Sequence, residues 1–210
     1  MRMKMLLWTT TSLLLVAITA HATGEGPYLG MQAGRSNIHN LPQKNYATGS
    51  TVNPSNTGFG ARLFLGYNVN DYVGFEGGYT YYGPSTYSTN VQPCDPKIRE
   101  YAYDLVAKGQ YPFGHSGFDL FAKAGISLIN KAVSGTLTSP AGSSNCTNDG
   151  GQTTIRPVVG LGASYDLNQS WVVDLSVTRV LGGSGIQNAD LYAVGLSYHL
   201  VNARCGQFLC

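Results

Sequence analysis

Charge is scarce in this chain. Lys, Arg, Asp and Glu together make up 11% of its 210 residues, against roughly a quarter in an ordinary soluble protein. Little of the surface is therefore built to meet water through charge. The 13 basic and 11 acidic residues nearly cancel, to +2. No basic cluster appears beyond the first few residues, which argues against nucleic acid as a partner. After residue 22 there is no run of 18 apolar residues, so no apolar helix spans a membrane. A P-loop, G-x-S-x-G, H-E-x-x-H and C-x-x-C are all missing, which removes the usual sequence grounds for a nucleotide site, a hydrolase or a metal centre. No cofactor, no metal and no enzymatic activity are expected. His115-Ser116 is not a nucleophile pair, since neighbours in extended chain point apart and this pair falls in a turn.

What is plentiful is glycine, with 27 residues, and tyrosine, with 14. The N-terminus carries Arg2 and Lys4, a short apolar stretch from Met5 to Ile18, and Ala20-His21-Ala22. That is the plan of a secretory signal peptide with an A-x-A cleavage site. The expected division is a signal peptide over 1–22, one domain over 23–201 and a short periplasmic tail over 202–210.

Eight strands are predicted, over 26–36, 58–68, 71–82, 98–111, 117–130, 153–166, 170–181 and 189–200. Most are longer than the ~5–6 residues of a globular strand and match the ~9–11 of a tilted transmembrane strand. The connections alternate. Those at 37–57, 83–97, 131–152 and 182–188 are long, and those at 69–70, 112–116 and 167–169 are short. Long loops at one end and short turns at the other make an outer-membrane barrel with its short turns in the periplasm. The fold class is all-β: an eight-stranded antiparallel up-and-down transmembrane β-barrel in the bacterial outer membrane.

Alternate residues of a strand point to opposite faces, and parity separates two faces here. Val73, Phe75, Tyr79 and Tyr81 oppose Gly74, Glu76, Gly78 and Thr80. Tyr101, Tyr103 and Leu105 oppose Glu100, Asp104 and Lys108, and Phe118, Leu120 and Ala122 oppose Asp119 and Lys123. Trp171, Val173 and Leu175 oppose Asp174 and Ser176. Glycines share the charged face, which suits the confined lumen of a small barrel better than a solvated surface. Tyr72, Tyr79, Tyr81, Tyr101, Tyr111, Tyr165, Trp171 and Tyr198 lie mostly towards strand ends, as interfacial girdles require. A secreted soluble barrel, the alternative, would place its apolar face inside.

The stretch GARLFLGYNVNDYVGFEGGYTYYG, with YDLVAKGQYP, FDLFAKAGISL and VGLSYHL, resembles the transmembrane domain of the outer membrane protein A family. The resemblance runs over roughly residues 26–200. It implies an eight-stranded barrel with a charge-paired interior, in which Glu76 joins an ion-pair network, Lys108 matches a lysine partner and Lys123 stands at an interior arginine position. Asp174 departs from the family, which has an arginine there. The family's peptidoglycan-binding domain is not expected after the eighth strand, so cell-wall anchoring is not carried over.

If residues 67 and 71 pair across the tight turn, Arg62 faces Glu76, both with inward parity. An unpaired buried charge costs several kcal/mol, and an opposed guanidinium offsets that cost. The candidate lumenal network is Arg62, Glu76, Asp104, Lys108, Lys123 and Asp174, with Asp119 a further acceptor. Of the four cysteines, Cys94 and Cys146 fall in neighbouring long loops, and Cys205 and Cys210 in the tail. An oxidising compartment then favours the bridges 94–146 and 205–210. The expected function is structural or adhesive, a surface-binding role for four displayed loops, with the interior plugged by charge. A narrow ion or water pore is the rival, and a lipid-modifying enzyme a further one. Expected partners are the membrane lipid, the barrel-insertion machinery and an extracellular ligand at the loops, for a monomeric protein.

Overall fold

The computed structural model describes residues 24–40, 43–44, 51–52, 55–86, 97–114, 116–137, 146–183 and 187–200. In chain order the strands are β1 (Gly26–Ile38), β2 (Gln43–Lys44), β3 (Thr51–Val52), β4 (Thr57–Asn68), β5 (Val73–Thr86), β6 (Lys97–Pro112), β7 (Phe118–Leu137), β8 (Cys146–Asp166), β9 (Trp171–Val180) and β10 (Ala189–His199). Eight of them close an antiparallel barrel in the order β1-β10-β9-β8-β7-β6-β5-β4, while β2 and β3 pair separately inside the first long connection.

The pairing fixes the shape. Tyr28 lies across from Gly66, Gly66 from Glu76, Glu76 from Val106 and Val106 from Gly125. Gly125 lies across from Val158, Val158 from Val180, Val180 from Ala189 and Ala189 from Ile38. One circuit thus returns to β1 ten residues above Tyr28. With a rise of about 3.3 Å per residue and strands about 4.8 Å apart, that stagger tilts the strands by roughly 40° and leaves a narrow interior.

Faces follow parity. Leu65, Leu161 and Leu175 are each more than 60% exposed on the outer wall, while Arg62, Glu76, Lys108 and Lys123 are buried inside. An apolar outside and a charged inside rule out the soluble barrel. Aromatic rings gather at two levels. Tyr79, Tyr101 and Tyr103 touch towards the long-loop end, and Tyr111 with Phe113, and Trp171 with Tyr198, at the short-turn end.

Two expectations are corrected. The third long connection is largely strand: β7 runs on to Leu137 and β8 begins at Cys146, so only 138–145 separates them. The register of the second and third barrel strands also differs. Arg62 lies across from Thr80, and Glu76 from Gly66, not from each other. The cause is the turn. Val69 and Asn70 N–H both donate to the Val73 carbonyl, and Asn70 Oδ1 accepts from Tyr72 and Val73 N–H at 2.9 and 2.8 Å. An Asx turn at Asn70 takes the place of the tighter turn that a 67–71 pairing requires. Asn168 builds the β8–β9 turn in the same way, accepting from Ser170 and Trp171 N–H at 2.9 Å. The β6–β7 turn instead uses Gly114 and Gly117 at φ 60° and 70°, where only glycine sits without strain. Ser116 serves that turn, donating its hydroxyl to the Phe113 carbonyl at 2.7 Å.

Candidate functional site

The interior charges come from five strands. Arg62 (β4) divides its guanidinium between two carboxylates: Nη1 donates to Glu76 Oε2 at 3.0 Å, and Nη2 donates to Asp104 Oδ1 at 2.6 Å. Lys123 (β7) Nζ donates to the same Glu76 Oε2 at 2.7 Å, and the Tyr28 hydroxyl donates to Oε1 at 3.0 Å. Thr80 completes the Asp104 side at 3.3 Å. Glu76 thus has donors on both oxygens, which is what a carboxylate needs away from water.

Lys108 and Asp174 sit in the same chamber without joining that ion-paired core. Lys108 Nζ stands over the Phe121 and Tyr28 rings at 5.0 and 5.4 Å. Asp174 Oδ1 accepts from Gln32 Nε2 at 2.6 Å. Aromatic faces also receive the other cations: Arg62 lies 4.9 Å from the Phe64 centroid and Lys123 4.8 Å from that of Phe121. Such contacts recover part of the hydration a buried cation loses. Arg62, Lys108 and Lys123 face Glu76, Asp104 and Asp174, so the chamber is formally neutral. The space left among Tyr28, Glu76, Lys108, Phe121, Lys123 and Asp174 holds about 10 Å³, room for a single water at most. Asp119 is buried on the interior face.

Glycine makes the close packing possible. A Cβ on Gly78 would stand 2.7 Å from Arg62 Nη2. Sequence reading missed Tyr28 and Gln32, whose inward parity on β1 was the available signal. It also missed a second ionic group at the long-loop rim. There Arg179 Nε and Nη2 donate to Asp190 Oδ1 and Oδ2 at 2.6 and 2.7 Å, and His39 Nε2 lies 2.9 Å from Asp190 Oδ2. Cys94, Cys205 and Cys210, the signal peptide expected over 1–22 and the tail expected over 202–210 lie outside the described residues. The Cys146 side chain does too, so neither bridge is seen.

The model of the outer membrane protein beta-barrel domain family matches residues 9–199. An uncharacterised protein of Coxiella burnetii is 29% identical over 156 residues, which cover 63% of this chain and 62% of that protein. Outer membrane protein A of Serratia marcescens is 27% identical over 180 residues, 81% of this chain and 48% of that protein. The chain therefore matches about half to two thirds of the length of these relatives. Among solved structures, the Neisserial surface protein A barrel superposes with a TM-score of 0.53 at 20% identity, covering 83% of this chain and 97% of that one. At that identity the likeness speaks for the fold alone. The closed eight-stranded wall, its apolar exterior and the family match together make this chain a member of the outer membrane protein β-barrel domain family, an outer membrane protein A-like barrel of the bacterial outer membrane.

Proposed function

We propose that the protein is a non-enzymatic, monomeric surface scaffold: a barrel closed by its own charges that holds long loops outside the cell for binding or adhesion. The observation that carries this reading is the filled chamber around Glu76. With about 10 Å³ free among these side chains, an ion passing that level would have to displace groups that neutralise one another. Long loops on a rigid wall are where such proteins keep their function. Ser197 and His199 approach to 3.4 Å, but the His199 ring stacks on Tyr28 at 4.6 Å in the buried interior, where no substrate reaches it. Insertion by the barrel-assembly machinery and a Cys94–Cys146 bridge tying two neighbouring loops belong to the same proposal.

Planar-bilayer recording of the refolded chain tests the closed wall, with no steady conductance expected. A stable ohmic conductance abolished by adding bulk at Gly78 would establish the narrow pore instead. Cysteines introduced within 45–50 should be labelled from outside intact cells and one at Gln169 should not. The reverse pattern would overturn the surface placement of the long loops. For the bridge, a chain cut between Cys94 and Cys146 should stay linked until reductant is added.

A further inference from the structure

We infer that the outer wall of β1, β10 and β9 carries a binding site for a phosphorylated, acylated glycolipid of the outer leaflet, with Arg35 and Arg179 holding the headgroup and the hollow beneath them taking an acyl chain. This site is separate from both the loops and the lumen.

The polar half begins with two cations exposed on the outer wall. Arg35 is exposed on the outer face of β1 and has no hydrogen-bond or ion-pair partner among the described residues. The Arg179 side chain is 45% exposed, and its Nε and Nη2 are committed to Asp190, leaving Nη1 without a partner among the described residues. Register sets their heights. Arg35 lies across from Tyr192, and Tyr192 from Val177. The stagger that climbs from β1 through β4 descends from β1 through β10, so this two-strand step lowers the level by roughly 6 Å. The two residues from Val177 up to Arg179 regain about 5 Å. The two arginines therefore stand level, roughly 12 Å apart, near the aromatic belt of Tyr79 and Tyr103. That is headgroup depth, at the long-loop end. Guanidinium is the side chain best matched to phosphate.

The apolar half lies directly below. A hollow of about 580 Å³ is lined by Ala33, Leu161, Leu175, Val177, Tyr192 and Val194 among others. Tyr192 and Val177 form its upper edge and are the residues that link Arg35 to Arg179 by register. A soluble anion would use the arginines and leave the hollow empty. A neutral lipid would use the hollow and leave the arginines without an anion. An amphiphile with phosphate on its head and several chains satisfies both, and in the outer leaflet that is the phosphorylated glycolipid.

The test is native mass spectrometry of the refolded full chain in a neutral detergent, titrated with hexa-acylated lipid A carrying two phosphates, one or none, and with phosphatidylglycerol. The expected order of affinity is two phosphates, then one, then none, with phosphatidylglycerol at least tenfold weaker than the first. Arg35→Gln combined with Arg179→Gln should weaken the diphosphorylated form at least tenfold and leave the phosphate-free form unchanged. Val194→Trp, which fills the hollow, should weaken all three glycolipids together. Heat-modifiable gel mobility reports folding of each variant. Should the double variant fail to fold, Arg35→Gln alone decides, because that side chain has no hydrogen-bond or ion-pair partner among the described residues. Unchanged affinity in that single variant, or phosphatidylglycerol binding as tightly as the glycolipid, would overturn the site.

Discussion

Glu76 and Asp190 are the same device in two solvents. Each is a carboxylate buried to 1% or less with two nitrogen-bearing partners: Arg62 and Lys123 for Glu76, Arg179 and the His39 imidazole for Asp190. The difference lies in the partners. Those of Glu76 are themselves buried, at 3% and 7%, whereas those of Asp190 are 45% and 44% exposed. Around Glu76 every partner is itself buried, so removing one charge strands another. At the rim, water and salt take over at once. The lesson is that pairing geometry does not set the worth of an ion pair; the solvation of the weaker-buried member does.

The comparison breaks most visibly at Arg62. Arg62→Ala should cost ~3–5 kcal/mol in urea unfolding from lipid vesicles, because Glu76 and Asp104 both lose a donor. Adding Glu76→Gln should recover part of it, and strict additivity of the two changes would show that the pair does not interact. Crowding the same guanidinium without touching any charge comes next. Gly78→Val should cost ~1–3 kcal/mol as overpacking, whereas Gly109→Ala, whose Cβ would meet nothing within 4 Å, should stay within about 0.5 kcal/mol of the parent. Equal effects at the two glycines would place Arg62 elsewhere. The rim gives the smallest response. Arg179→Ala should shift the urea midpoint least of the set. That shift should vanish in 1 M salt, where the screening length falls to ~3 Å, while the Arg62 effect persists. A salt-independent loss at Arg179 would mean that the rim group is as dry as the lumen.

Much of this is legible in the sequence alone. Parity put Glu76, Asp104, Lys108, Lys123 and Asp174 on one face because the period of a strand is two, and no register error of an even number of residues changes it. The Arg62 register shows this. The pairing is displaced by four positions from the expected one, yet both side chains remain inward. They still meet at 3.0 Å, because a narrow lumen gathers long side chains that sit about 13 Å apart along the strand direction. What could not be read was the partner assignment: that Arg62 is shared with Asp104, that Lys108 rests on aromatic rings, and that Asp174 binds Gln32. Those depend on which strands stand opposite across the lumen. The rim group was illegible for a related reason. His39 and Asp190 are 151 residues apart in sequence, and only closure of β1 onto β10 brings them together.

The sequence by itself determined the even number of long strands, the alternation of long and short connections, and which residues face lipid. All three are local properties of strand period, turn chemistry and hydrophobicity. The tertiary structure alone decided the ten-residue stagger, and with it the tilt, the width of the lumen, the contacts of each interior charge and the levelling of Arg35 with Arg179. A stagger is a property of the closed circuit: each hairpin sets one step of it, and its sum exists only once the last strand has paired with the first.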